Sequence, residues 1–121
     1  MAARLPGARY KKVFDGGRVV RGRLVTAWSF KDDGAAGQAG VVVSKKSFHD
    51  AVKRNRAKRL VREAFRLLAK EGAFPAKTDW IFVGRHALDG KKCADVMAEL
   101  KWMAGKAARA DAAPKHEARG A

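Results

Sequence analysis

The chain has 121 residues, with 27 Lys plus Arg against 12 Asp plus Glu and a formal net charge of +15, and its isoelectric point lies near 10.7. That length fits one domain with a modest core, and no apolar run approaches the roughly 20 residues a membrane-spanning helix needs. The charge excess selects polyanionic partners, nucleic acid before an anionic membrane surface.

The N-terminal stretch "MAARLPGARYKKVF" lacks the continuous apolar region of a secretory signal, which leads us to expect a cytoplasmic protein. From Ala8 to Asp15, Tyr10, Val13 and Phe14 recur at i, i+3 and i+4, predicting a short helix that Gly16 and Gly17 end. Extended chain follows from Arg18 to Phe30, bent near Arg21 and Gly22. In its second part Leu24, Thr26, Trp28 and Phe30 are expected on one face, and Val25, Ala27 and Ser29 on the other. "KDDGAAGQAG" reads as a loop. "VVVSKK" reads as a strand with a buried first half.

The best-defined element is the next helix. Ser47 and Asp50 form an S-x-x-D start signal, with Asp50 itself an alternative cap, and Gly72 and Pro75 stop the helix. "DWIFVGR", Asp79 to Arg85, reads as a strand. A last helix from about Lys91 is expected to bury Ala94, Met97 and Leu100, with Met103 or Trp102. The only cysteine, Cys93, excludes an intrachain disulfide or a multi-cysteine zinc site and suits packing beside Val96 and Met97. The domain is expected to cover residues 1–106, and the Ala-, Lys- and Arg-rich tail, residues 107–121, to be disordered. This order of elements is α+β.

At about 100° per residue, Ala57, Leu60, Val61, Ala64 and Leu68 form the core face of the long helix, with Phe65 and Leu67 at its edges. Asn55, Lys58, Arg59, Arg62, Arg66 and Lys70 fall on the opposite side. Like charges one turn apart repel each other unless an anion arrives. The single internal acid, Glu63, follows Arg59 by four residues, the weaker order for an ion pair. Arginine's planar paired donors and permanent charge suit phosphate, and the Asn55 amide suits a base edge or ribose hydroxyl.

"SKK" followed by "AVKRNRAKRLVREAFR", Ala51 to Arg66, resembles the signature of the bacterial ribonuclease P protein component. The match includes Arg54, Asn55 and Arg56, then Lys58, Arg59, Leu60 and Arg62, and the "EAFR" ending. It extends less sharply over Arg4 to Lys106, with Tyr10, Phe14, Gly17 and Trp28 in the places of the family's opening. The resemblance implies an α-β-β-β-α-β-α sandwich resembling the second domain of ribosomal protein S5, with a left-handed crossover at the basic helix. It also implies a protein subunit that joins a catalytic RNA in endonucleolytic removal of the 5′-leader from precursor tRNA. By position it assigns Lys45, Lys46, Lys53, Arg54, Asn55, Arg56, Lys58, Arg59, Arg62 and Arg66 to the ribonuclease P RNA. It assigns Tyr10, Phe14 and Trp28, with Arg9, Lys11 and Lys12 as phosphate partners, to the single-stranded leader. Aromatic faces stack on unpaired bases with little sequence preference, though an i, i+4 aromatic pair and a tryptophan beside Leu24 and Phe30 equally suit a core. "SFHD", Ser47 to Asp50, departs from the family's small residue followed by Asn or a basic residue, and makes this turn bulkier and less positive.

A protein nuclease would need convergent carboxylates around a metal. The only adjacent acidic pair, Asp32 and Asp33, lies in the Gly-rich loop, and His49, His86 and His116 have no ligand spacing. The resemblance therefore places the chemistry on the RNA subunit and Mg2+ held mainly by that RNA, with no small-molecule substrate and no membrane partner. Two other readings stand beside it: a noncatalytic ribosomal or ribosome-assembly RNA-binding protein, and a duplex-DNA binder.

Overall fold

In the computed structural model, which describes residues 5–35 and 37–112, a four-stranded sheet separates one helix from a pair of helices. Helix α1, Gly7–Gly16, starts after Pro6, and the chain leaves it at Gly17, whose N–H donates to the Val13 carbonyl at 2.8 Å. A side chain at Gly17 would run into the Val13 and Ser29 carbonyl oxygens, so glycine is required for this close turn into the sheet.

Strands β1, Arg18–Arg21, and β2, Val25–Lys31, pair antiparallel with Val19 opposite Trp28 and Arg21 opposite Thr26. The expected alternation holds within β2. Val25, Ala27 and Ser29 are buried on the face of the helix pair, and Thr26, Trp28 and Phe30 are half-buried on the α1 face. Leu24, expected beside Trp28, precedes the strand and packs into the larger core instead.

β3, Ala39–Val42, pairs parallel with β4, Thr78–Gly84, giving the order β1-β2-β4-β3. Between them runs helix α2, Ala51–Lys70, as the crossover a parallel pair requires. Only Val41 and Val42 of "VVVSKK" are strand, and the strand starts earlier, at Ala39. Ser44 to Ser47 turn, with Ser44 Oγ accepting from the Ser47 N–H at 3.2 Å, so Lys45 and Lys46 project from a turn rather than from a sheet. After β4 a single 3-10 turn, His86–Leu88, leads to helix α3, Cys93–Ala112. The element order is the expected α-β-β-β-α-β-α of an α+β domain.

Two cores hold the layers together. α2 and α3 cover one sheet face through Val61, Ala64, Phe65, Leu68, Val96, Leu100 and Met103 against Trp80 and Phe82. Phe65, placed at the edge of the α2 stripe by periodicity, packs within this core, its ring tilted at 5.8 Å from the Phe82 ring. Ala94 faces solvent and Val96 takes the buried place expected of it, because α3 begins at Cys93 and its inward face is set by contact with α2. Order also runs past the expected limit at Lys106, since Ala107 packs in the core and the helix reaches Ala112; residues 113–121 of the expected tail lie outside the described residues. On the other face Leu5 and Val13 pack on Ile81, with Tyr10, Trp28, Phe30, Val42 and Val83 around them. Among the described residues no helix is long and apolar enough to cross a membrane.

Candidate nucleic-acid interface

The amphipathic pattern of α2 leaves its charged side no choice but to face outward. Asp50 is the N-cap, accepting from the Val52 N–H at 2.8 Å, and Phe48 turns into the core. The bulk of "SFHD" is thus spent inward, and its acid is occupied at the helix start. The turn therefore presents Lys45 and Lys46 outward with no large side chain between them and solvent. His86 Nδ1 lies 3.3 Å from the Ser47 carbonyl and links this turn to the end of β4.

The basic side chains expected at the interface fall into two groups. Arg54 donates from Nη1 to the Phe48 carbonyl at 3.0 Å, and Arg66 forms a two-pronged pair with Glu63, both contacts at 2.8 Å. Glu63 thus takes the arginine one turn ahead rather than Arg59 behind it, and its carboxyl is held below the ordinary value by that hydrogen bond. Lys53 lies 3.9 Å from Asp89. Among the described residues, no acid within ion-pair distance meets Lys45, Lys46, Arg56, Lys58 or Arg59. With Asn55, Arg56 and Arg59 exposed and Lys58 and Arg62 half-exposed on one flank, the helix offers a row of donors about one turn apart. Arg54 and Arg66, by contrast, are oriented by the protein's own hydrogen bonds.

The second cluster lies where α1 crosses the sheet. Phe14 meets Trp28 edge to face at 5.1 Å between centroids, and Tyr10 lies 6.5 Å from Phe14. Phe14 is 40% exposed. Trp28 is half-buried, and Tyr10 packs over Gly40, where any side chain would collide with its hydroxyl. Tyr10 and Trp28 thus pack against the smaller core, while Phe14 stands outside it and leans on the Trp28 ring. Lys11 and Lys12 are exposed on the same helix, Lys11 at 3.2 Å from Asp15.

Arg9 is the clear departure from expectation. Its guanidinium is bound to Asp79, with Nη2 at 2.8 Å and Nε at 3.0 Å, and to Asp32 at 3.1 Å. Asp79 is 1% exposed. A guanidinium so committed anchors α1 to β4 and to the loop after β2, and it is unavailable as a phosphate partner. Hydrogen bonding to Arg9 also holds the Asp32 carboxyl below its ordinary value. Nothing local in "GARYKK" signals this, because the partner lies 70 residues away.

Sequence reasoning placed Thr26 on the Trp28 face but passed over Val19. Both lie on the Trp28 face, Val19 directly across from the ring and 46% exposed, and together they extend the open surface toward Arg21. Alternation in "RVVR" contains the signal, since Val19 and Arg21 share a face. Among the described residues no three His, Cys, Asp or Glu side chains converge into a metal-holding group.

Comparison with known proteins gives the family and the fold. The family model described as Ribonuclease P matches residues 5–108. A "Ribonuclease P protein component" from an Exiguobacterium species is 35% identical over 92 residues, covering 76% of this chain and 77% of the relative. One from Clostridium kluyveri is 30% identical over 100 residues, 83% of this chain and 88% of its own. Among solved structures, the RNase P protein from Thermotoga maritima superposes with a TM-score of 0.72 at 25% identity, covering 86% of this chain and 96% of that one. The Staphylococcus aureus RNase P protein has the same fold, with a TM-score of 0.70 at 24% identity, covering 89% of this chain and 96% of that one.

Proposed function

The chain belongs to the ribonuclease P protein component family, and we propose that it acts as the protein subunit of a ribonuclease P that removes the 5′-leader from precursor tRNA. The observation that carries this reading is the α2 flank, where the ordered family motif coincides with Arg56, Lys58 and Arg59 lacking any acidic partner among the described residues. That flank, with Lys45, Lys46, Lys53, Asn55 and Arg62, binds the phosphates of the ribonuclease P RNA. Release of counterions from those phosphates supplies most of the affinity. Arg54 and Arg66 contribute by shaping the ends of the flank, already tied to Phe48 and Glu63.

The open side of Tyr10, Phe14 and Trp28 receives the single-stranded leader, and Lys11 and Lys12 neutralise its phosphates. Stacking on ring faces tolerates leaders of any sequence. The chemistry belongs to the RNA: magnesium is held there, and the protein's share is positional and electrostatic. By offsetting repulsion between two polyanions and holding the leader on a fixed line, it helps place the scissile phosphate. Cytoplasmic work on tRNA precursors follows from this role.

The leader assignment is tested by Trp28→Ala in the assembled holoenzyme. Affinity for precursor tRNA falls by about 1–3 kcal/mol, and affinity for mature tRNA stays as it was. Equal losses for the two ligands, with an unchanged melting curve, contradict leader stacking at Trp28.

A further inference from the structure

A groove of about 980 Å³ lies at the turn end of the β1–β2 hairpin. One wall is the outer face of α3, where Ala94, Ala98 and Trp102 recur every four residues and so share one side. Trp102 is 48% exposed. The two alanines make the wall flat and small, and the indole stands at its end as the single large ring. The opposite rim carries Arg21 and Arg23, both exposed, and Lys91 closes the end nearest the 3-10 turn.

The charge of this groove is positive where it is free. Its acids are Asp95 and Glu99, and both are engaged by backbone N–H groups. Glu99 accepts from Arg23, Leu24 and Val25 at 2.8, 2.9 and 2.9 Å, and Asp95 accepts from Lys92 at 3.0 Å. Gly22 is held so closely that a Cβ there would stand 2.6 Å from the Glu99 carboxylate, and Arg85 donates to the Gly22 carbonyl at 2.6 Å. The turn bearing Arg21 and Arg23 is thus a fixed platform. Lys106 Nζ lies 4.9 Å from the Trp102 ring centroid, adding a cation beside the aromatic face. A concave basic surface with an exposed ring is the arrangement that binds single strands without sequence preference.

Arg21 connects this groove to the aromatic cluster of α1 and β2. It lines the groove, yet it also stands opposite Thr26, two residues along from the Val19–Trp28 pair, and so shares their face of the sheet. Two residues of strand are about 7 Å. A strand leaving Trp28 along β1 therefore passes exposed Val19 and reaches Arg21 at the mouth of the groove.

We propose that this groove binds the upstream continuation of the precursor leader, with a base stacked on Trp102 and phosphates on Arg21, Arg23 and Lys91. The inference rests on the leader reading above and extends it to longer leaders. It is tested in the holoenzyme with precursor tRNAs carrying leaders of about 8 and about 16 nucleotides, within the range of single-strand site sizes. Trp102→Ala and Arg23→Ala are each expected to weaken binding of the longer leader by about fivefold or more, and to leave the shorter one unchanged. Arg23 serves as the second variant because its side chain is exposed and outside the core. Equal effects on both lengths, no effect on either, or weakened assembly with the RNA subunit would overturn the proposal. Trp28→Ala, measured beside them, separates the two readings. If it weakens both leaders while Trp102→Ala weakens neither, the groove assignment alone fails; if it too weakens neither, leader binding at the cluster fails and the groove assignment with it.

Discussion

Asp79→Ala lowers the stability of the folded chain by about 3–5 kcal/mol, the cost of breaking a buried ion pair by removing one partner. Asp79 is 1% exposed and uses both oxygens. Oδ2 takes Arg9 at 2.8 and 3.0 Å, and Oδ1 accepts from the Gln38 N–H at 3.0 Å. Its loss leaves the Arg9 guanidinium half-buried with only Asp32, and strips the backbone of Gln38 of its acceptor beside β3. Three segments lose their common tie at once: α1, the loop after β2, and the start of β4. Asp79→Asn keeps an acceptor for Gln38 and loses the charge, so its cost falls between the wild type and Asp79→Ala. Chemical denaturation measures both, and a loss below about 1 kcal/mol for Asp79→Ala, within the range of an exposed pair, would show that Arg9 and Asp79 are not the anchor described.

Arg56→Ala combined with Arg59→Ala weakens binding to a bacterial ribonuclease P RNA by about tenfold to a hundredfold. Both side chains are exposed and, among the described residues, meet no acid, so their removal disturbs neither the core nor an internal pair. The salt dependence is the sharper observable. Each lost phosphate contact reduces the slope of log K against log salt by about 0.7–0.9, so the double variant should be shallower by about 1.4–1.8. Arg66→Ala gives a contrasting result, since Glu63 already occupies that guanidinium and a smaller change in slope is expected. A double variant with the wild-type slope would remove Arg56 and Arg59 from the phosphate contacts.

The elements governed by local rules were legible in the sequence. Alternation assigned the faces of Val25, Ala27, Trp28 and Phe30, and helical periodicity separated Val61, Ala64 and Leu68 from Asn55 and Arg59. The candidate interface was legible for the same reason, because uncompensated charge on an amphipathic helix has only one side to occupy. What stayed hidden depended on partners distant in the chain. Arg9 reads like Lys11 and Lys12 until β4 brings Asp79 beside it. Glu99 reads as an ordinary surface acid of α3 until the β1–β2 turn places three N–H groups on its carboxylate. Phe48 reads as an intrusion into the basic turn, and only the packing of that turn onto the sheet shows that the ring points inward. The misplacement of Ala94 has a related origin: an alanine-rich helix carries little apolar contrast, and contact with α2 selects Val96, Leu100, Met103 and Ala107 as its inner face.

The most direct test of the account is reconstitution. The purified protein is mixed with a bacterial ribonuclease P RNA at a magnesium concentration too low for the RNA to act alone, and release of the 5′-leader from precursor tRNA is followed. Cleavage at the mature tRNA 5′-end that appears only when the protein is added is the predicted result. No restored cleavage, despite retained binding of the protein to RNA, would contradict the subunit role and leave a noncatalytic RNA-binding protein in its place.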